Sequence, residues 1–182
     1  ESIQLLHGQG PADTRAVIVR LGGEMLRLAG VASSLEDGEA RIATSLDDGT
    51  ALEKFRQMLT AQGGDPAVAD DVSLLVQAPL IVPFKADRSG VVATMDALGI
   101  GLAAVRLGAG RNKTSDDVDP AVGFVLHAKP GDAVDAGDTV VDIHAKNEAS
   151  ATAAARSLAA AITIVDPADA PPIPPLFLDV IH

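Results

Sequence analysis

Apolar positions give the chain two textures. Over the first 76 residues they recur at helical spacing, and from residue 78 they come in short runs broken by Gly, Pro and Asp. Residues 2–7 read as the end of a helix stopped by Gly8. Gly10-Pro11 then restarts the chain, since Pro suits a first helical turn. Between Ala12 and Ala29 the apolar residues Ala16, Val17, Val19, Leu21, Met25, Leu26 and Leu28 predict a well-buried helix, closed by Gly30. A second helix is predicted over 35–46, with Ile42 and Leu46 on one face and Gly38 weakening it. Thr50 and Glu53 have the spacing of a capping box, opening a helix that Gly63-Gly64 ends. Residues 65–76 read as a short helical connection.

Beyond residue 78 the pattern changes to strands. Residues 78–87 and 90–97 are strand-like and are separated by Asp87-Arg88-Ser89-Gly90, a good turn. Residues 97–108 form a helix of small residues. A strand over 122–128, a tight double turn over 129–138 and a strand over 139–145 follow. An Ala-rich helix over 148–162, a Pro-rich extended arm over 166–175 and a last strand over 176–181 complete the chain. The fold class is α+β: a helical segment over residues 1–77, then an α+β module over 78–182.

Composition narrows the function. Hydrophobic residues make up 47% of the chain but aromatics only 2%, with four Phe and no Tyr or Trp. The core must therefore be Ala, Val, Leu and Ile, and there is no aromatic platform for stacking single-stranded bases. A net charge of −11 argues against nucleic acid and anionic membranes as partners, because both attract clustered Lys and Arg. The absence of Cys excludes disulfides, thiolate–zinc sites and Cys nucleophiles, and fits a reducing compartment. No apolar run approaches the roughly 18 residues a membrane span needs. The chain opens "ESIQLLHG", without Met or signal peptide, and reads as a fragment of a longer protein.

The most chemically suggestive stretch is "GAGRNKTSDDVDPAVGFVLHAKPGD" at 108–132. It is not a P-loop, because Asn112 rather than Gly precedes Lys113-Thr114 and the stretch follows a helix. Nor is it a dinucleotide fingerprint, because Gly108 and Gly110 lack the third glycine and the helix after it. Asp116, Asp117 and Asp119 are candidate ligands for a hard cation, but the terminal Glu of a calcium loop is missing. The competing reading is that Asp before a strand caps its own turn. Asn112-Lys-Thr114 matches a glycosylation sequon by chance, as nothing argues for secretion. His127 and His144 flank the double turn and are a candidate metal pair, against the plainer reading of two half-exposed strand residues without a third ligand. His7 and His182 have no visible partner. No Ser-His-Asp set and no acid–base pair of carboxylates emerges.

The rhythm of "GDAVDAGDTVVDIHA" resembles the hairpin of biotinyl and lipoyl domains, a barrel-sandwich hybrid architecture. The Met-Lys-Met tip on which such carriers depend is absent, so a stand-alone binding or carrier module is the alternative reading.

A broader resemblance covers essentially the whole chain. The order and spacing of Gly108, Gly110, Arg111, Asp116, Val118, Asp119, Val122, Gly123, Gly131, Asp132, Val134, Gly137, Ile143 and His144 resemble the late segment of the thymidine and pyrimidine-nucleoside phosphorylases. "ESIQLLHGQGP" and "FRQMLTAQGGDPAV" are similar to earlier motifs of that family. The resemblance implies a C-terminal portion of an enzyme in which phosphate attacks C1′ of a pyrimidine nucleoside. It implies a parent with a small all-α lobe and a large α/β lobe, the substrates between them, homodimeric largely through the all-α lobe, and cytoplasmic. The family's phosphate loop and pyrimidine-binding Arg/Ser/Lys set are not found in these 182 residues. No catalytic or substrate-binding residue is therefore assigned here, and the isolated piece is expected to be inactive. Gly108, Gly110, Arg111, Asp116 and Asp119 are expected to be structural, with Arg111 in a salt bridge or bound to nearby carbonyls. Glu1 matches a family glutamate that helps hold a potassium-like cation in some members. No organic cofactor is implied.

Overall fold

The computed structural model describes residues 1–111 and 113–179; Asn112 of the sequon, His182 and the end of the expected last strand lie outside them. The chain forms two compact units, Glu1–Leu75 with the chain from Pro175 onward, and Val76–Pro174.

The first unit is helical: α1 (Ser2–Leu6), α2 (Ala12–Leu28), α3 (Leu35–Asp47) and α4 (Thr50–Ala61), then 3-10 turns at Pro66–Ala69 and Val72–Leu74. Pro11 is the N-cap of α2 rather than its first helical residue, and Gly30 leaves the helix with φ 69°. Ser34 caps α3 by accepting from the Asp37 amide. The expected capping box at Thr50 does not form. Gly49 is the N-cap, in the left-handed region, and the hydroxyl of Thr50 donates backwards to Asp48 at 2.6 Å. Glu53 instead accepts from Gln57 and Arg56 along the helix.

Helices α2 and α3 meet through glycines. A Cβ on Gly38 would lie 2.4 Å from the Gly23 carbonyl oxygen, so the two backbones are in direct contact there. This is why Gly38, a poor helix former, is tolerated mid-helix. The expectation of a well-buried α2 is overturned: Gly23 is its only buried residue, and Leu21, Met25 and Leu28 are exposed. The small core is Leu5, Ala32, Leu46, Leu52 and Ala69. The His7 ring hydrogen-bonds the Ala69 carbonyl at 2.8 Å, tying the last turns to α1.

The second unit contains two open, three-stranded antiparallel sheets, in the orders β1-β5-β3 and β4-β2-β6. They comprise β1 (Leu80–Lys85), β2 (Gly90–Met95), β3 (Gly123–Leu126), β4 (Ala133–Val134), β5 (Thr139–Ala145) and β6 (Ile162–Val165). Neither sheet closes into a barrel. The turn at 87–90 does not fold β1 onto β2; it carries the chain from one sheet to the other. β1 pairs instead with β5, Leu80 opposite Ala145, and β3 pairs with β5, Gly123 opposite His144. Val92, Val140, Val141 and Ile143 are wholly buried, together with Leu158 of α6 (Glu148–Ala161). All buried hydrophobic residues are Ala, Val, Leu or Ile, as the composition required.

Three expectations for the sequence beyond residue 78 need correction. The Ala-rich helix stops at Ala161, and Ile162–Val165 is strand β6, paired with β2, because four β-branched residues suit a half-buried ladder. The double turn contains the short strand β4, paired to β2. Residues 176–179 form no strand.

Candidate functional site

Asp96 opens α5 (Ala97–Ala104) by accepting from the Leu98 amide, and the helix widens into a π-type turn over Val105–Ala109. Gly108 ends it with φ 119°, a conformation that an L side chain resists. Its carbonyl accepts from the Asp119 amide at 3.0 Å, closing the loop at its neck. Beyond that neck Asp119 Oδ1 accepts from the Ala121 amide, and Asp116 Oδ2 from the Lys113 amide. The Asp116 amide in turn donates to the Lys113 carbonyl. Gly110 sits where a Cβ would come within 2.8 Å of Val105, so close approach also holds the loop.

Chemically, this is a turn that consumes its own donors. An anion cradle needs several amides aimed at one point. Here the amides of Lys113, Asp116, Asp119 and Ala121 are taken up inside the loop. Arg111 is exposed and, among the described residues, joins no ion pair, which removes the salt-bridge half of its expectation. The same self-bonding recurs downstream: Asp132 accepts from the Lys129 amide, and Asp138 from the Asp135 amide.

His127 and His144 are not brought together. The His127 amide donates to the Val140 carbonyl, whereas His144 sits opposite Gly123 at the other end of the same strand pair. The His127 ring meets the Asp142 carboxylate at 2.8 Å on the exposed face. Glu1 accepts from the Thr14 hydroxyl at 2.8 Å. Among the described residues no three His, Asp or Glu side chains are placed to share a metal.

A cleft of about 390 Å³ in the second unit escaped the sequence reading, lined by Phe84, Lys85, Arg88, Ile162, Thr163 and Ile164. Arg88 is ion-paired there with Asp166. It was hidden because a third of its wall is β6, whose strand character shows only in its pairing.

Among the described residues no polar or charged residue is buried. The carboxylates held below their usual range are all on the helical unit's surface. Asp37 is lowered to about 2, chiefly by the Arg41 guanidinium and then by the Ser33 amide. Asp70 is lowered chiefly by Arg56, and Asp48 and Asp71 by Thr50 and Ser73. These are exposed pairs and turn bonds. A catalytic acid or base tuned by burial is missing from the described residues. No helix among them is long and apolar enough to cross a membrane.

Comparison with known proteins supplies what the geometry does not. The family described as "Pyrimidine nucleoside phosphorylase C-terminal domain" matches residues 91–165. The chain is 40% identical over 166 residues to a protein of Staphylococcus aureus (strain bovine RF122 / ET3-1) named pyrimidine-nucleoside phosphorylase. The like-named protein of strain USA300 matches at the same identity. Each match takes in 91% of this chain but 38% of the relative, so the chain spans well under half the length of these proteins.

Proposed function

We propose that this chain, whose residues 91–165 belong to the pyrimidine nucleoside phosphorylase C-terminal domain family, is the supporting portion of a pyrimidine-nucleoside phosphorylase. In the whole enzyme a phosphate oxygen attacks C1′ of the nucleoside. The bond from C1′ to the base breaks, its electron pair leaves with the base, and (deoxy)ribose 1-phosphate is formed. The residues that grip phosphate and base belong to the part of the enzyme that this chain does not cover. The 182 residues by themselves are inactive.

The observation that carries this reading is the 40% identity over nine-tenths of the chain. The local geometry agrees with it, since the loop at 108–121 satisfies its own charges and amides and no buried titratable group is described. In such an enzyme, positioning of two substrates between lobes supplies much of the rate. A rigid turn and two small sheets serve that end by bracing the lobe. Gly108, Gly110, Arg111, Asp116 and Asp119 are structural, and Glu1 contributes to a potassium-like site only when the remainder of the enzyme is present. The whole protein is a cytoplasmic homodimer that uses nucleoside and phosphate and needs no organic cofactor.

The test is turnover of thymidine and uridine with phosphate. The purified chain is compared with a chimera in which it replaces the matching 166 residues of the S. aureus protein. The chain alone releases no base above background, and the chimera phosphorolyses nucleoside. Lys113→Ala in the chimera leaves kcat/KM within about threefold, under roughly 1 kcal/mol of transition-state stabilisation. Turnover at an enzymatic rate by the chain alone, or a folded but inactive chimera, refutes the reading.

A further inference from the structure

Ile18, Leu21, Met25 and Leu28 fall at intervals of three, four and three along α2, which is the spacing of a narrow helix-packing seam. All four are exposed, Leu21 by 58%, Met25 by 70% and Leu28 by 76%. Val31 continues the line past the helix end and is exposed too. At about 1.5 Å per residue the seam is roughly 15 Å long. The glycine face that α2 turns towards α3 lies about a third of a turn away, so the seam is a second, separate face. Ion pairs border it: Arg27 with Glu24 on the helix itself, and Arg20 with Glu39. An apolar line with charges already neutralised at its edges is a surface built to be covered. The unit's own chain covers it incompletely: Phe177 stands beside Leu21 and Leu28 across an open groove of about 410 Å³, and both leucines stay exposed.

We propose that this seam is the docking face for the polypeptide that makes up the rest of the phosphorylase. The inference rests on the functional reading above. The occupant is the part of the relatives that the chain does not match. With 38% of each relative covered, more than half of its length lies outside the match and is available to seat on α2. A second copy of this chain is the competing occupant, and the test separates the two.

The chain has no Cys, so Met25→Cys puts a single thiol on the seam and Asp87→Cys puts one on an exposed turn of the other unit. Maleimide labelling of each variant is followed by peptide mass spectrometry, in the 182-residue chain and in the S. aureus chimera. The seam thiol is expected to label at least tenfold more slowly in the chimera than in the chain alone, with the turn thiol changing less than twofold. Equal labelling of the seam thiol in both proteins overturns the proposal, even if the chimera is active; an inactive chimera with the seam thiol protected leaves the seam standing and removes the functional reading instead. Labelling of the seam thiol in the chain alone that slows as protein concentration rises assigns the seam to a second copy and overturns the proposal. Should the chimera not fold, the chain is co-expressed with a tagged S. aureus polypeptide lacking the matched residues. The wild-type chain is expected to co-purify and Leu21→Asp/Met25→Asp to be lost, while failure of the wild type to co-purify counts against the proposal.

Discussion

Replacing Gly38 by Ala tests how α2 and α3 are held together. A Cβ at this position would sit 2.4 Å from the Gly23 carbonyl oxygen and 2.9 Å from its Cα. Ordinary carbon–oxygen contacts need about 3.3 Å, so the helices must separate by roughly 1 Å. The obstacle is helical backbone and cannot rotate aside. Overpacking of this kind costs about 1–3 kcal/mol, while Gly to Ala in a helix returns about 1 kcal/mol. Because the obstacle is fixed backbone, the upper part of that cost applies, about 2–3 kcal/mol, and the net expectation is a loss of about 1–2 kcal/mol, or several degrees in Tm for a unit of this size. Three companions calibrate the sign. Gly23→Ala meets the Glu39 amide nitrogen at 2.8 Å and should lose less. Gly22→Ala meets Cγ1 and Cδ1 of Ile42 at 2.9 Å, a side chain that yields more readily than backbone, and should cost less than either Gly38→Ala or Gly23→Ala. Gly101→Ala in α5 meets nothing within 4 Å and should gain up to about 1 kcal/mol. Urea unfolding followed by far-UV circular dichroism gives the midpoints, each variant read on its own unit's transition. A Gly38→Ala protein as stable as wild type would refute the close glycine crossing.

Two further outcomes follow from particular groups. Asp37 is held at about 2 in the folded chain against an ordinary 3.8, so its contribution is complete above about pH 4 and is lost as pH falls towards 2. Asp37→Asn should therefore flatten the acid limb of the helical unit's stability in that window, and an unchanged acid slope would remove Asp37 from the account. Gly108→Ala forces an L side chain to φ 119° and should destabilise the second unit by about 1–3 kcal/mol, seen as a lower Tm; an unchanged Tm would mean that the loop relaxes freely.

The candidate loop was largely legible from its residue types. Asp and Gly act on their own backbone within three or four residues, so the turns at 113–116, 119–121, 129–132 and 135–138 need no distant partner to form. The family motifs were legible for the same reason, being short patterns in fixed order. For Arg111 the sequence left a salt bridge and nearby carbonyls both open, because an ion pair needs a partner from elsewhere in the fold, and local sequence does not say which carboxylate arrives. Thr50 was misjudged by one residue: the left-handed Gly49 and the Asp48 carboxylate settled the start of α4 between them.

By itself, the order of residues settled what is local: the helical first half, the α+β second half, a core without aromatic bulk and turns built by Asp and Gly. Tertiary structure alone decided which strands pair. β1 passes over its neighbour β2 to join β5 some sixty residues later, with Leu80 opposite Ala145. Ile162–Val165 became a strand only because β2 offered it a ladder. Periodicity along α2 announced an apolar face, yet whether that face is buried depends on what else is present to cover it. A hydrogen bond to one's own backbone is encoded in a few adjacent residues, whereas a ladder or a buried face is a property of two segments and exists only once the chain has brought them together.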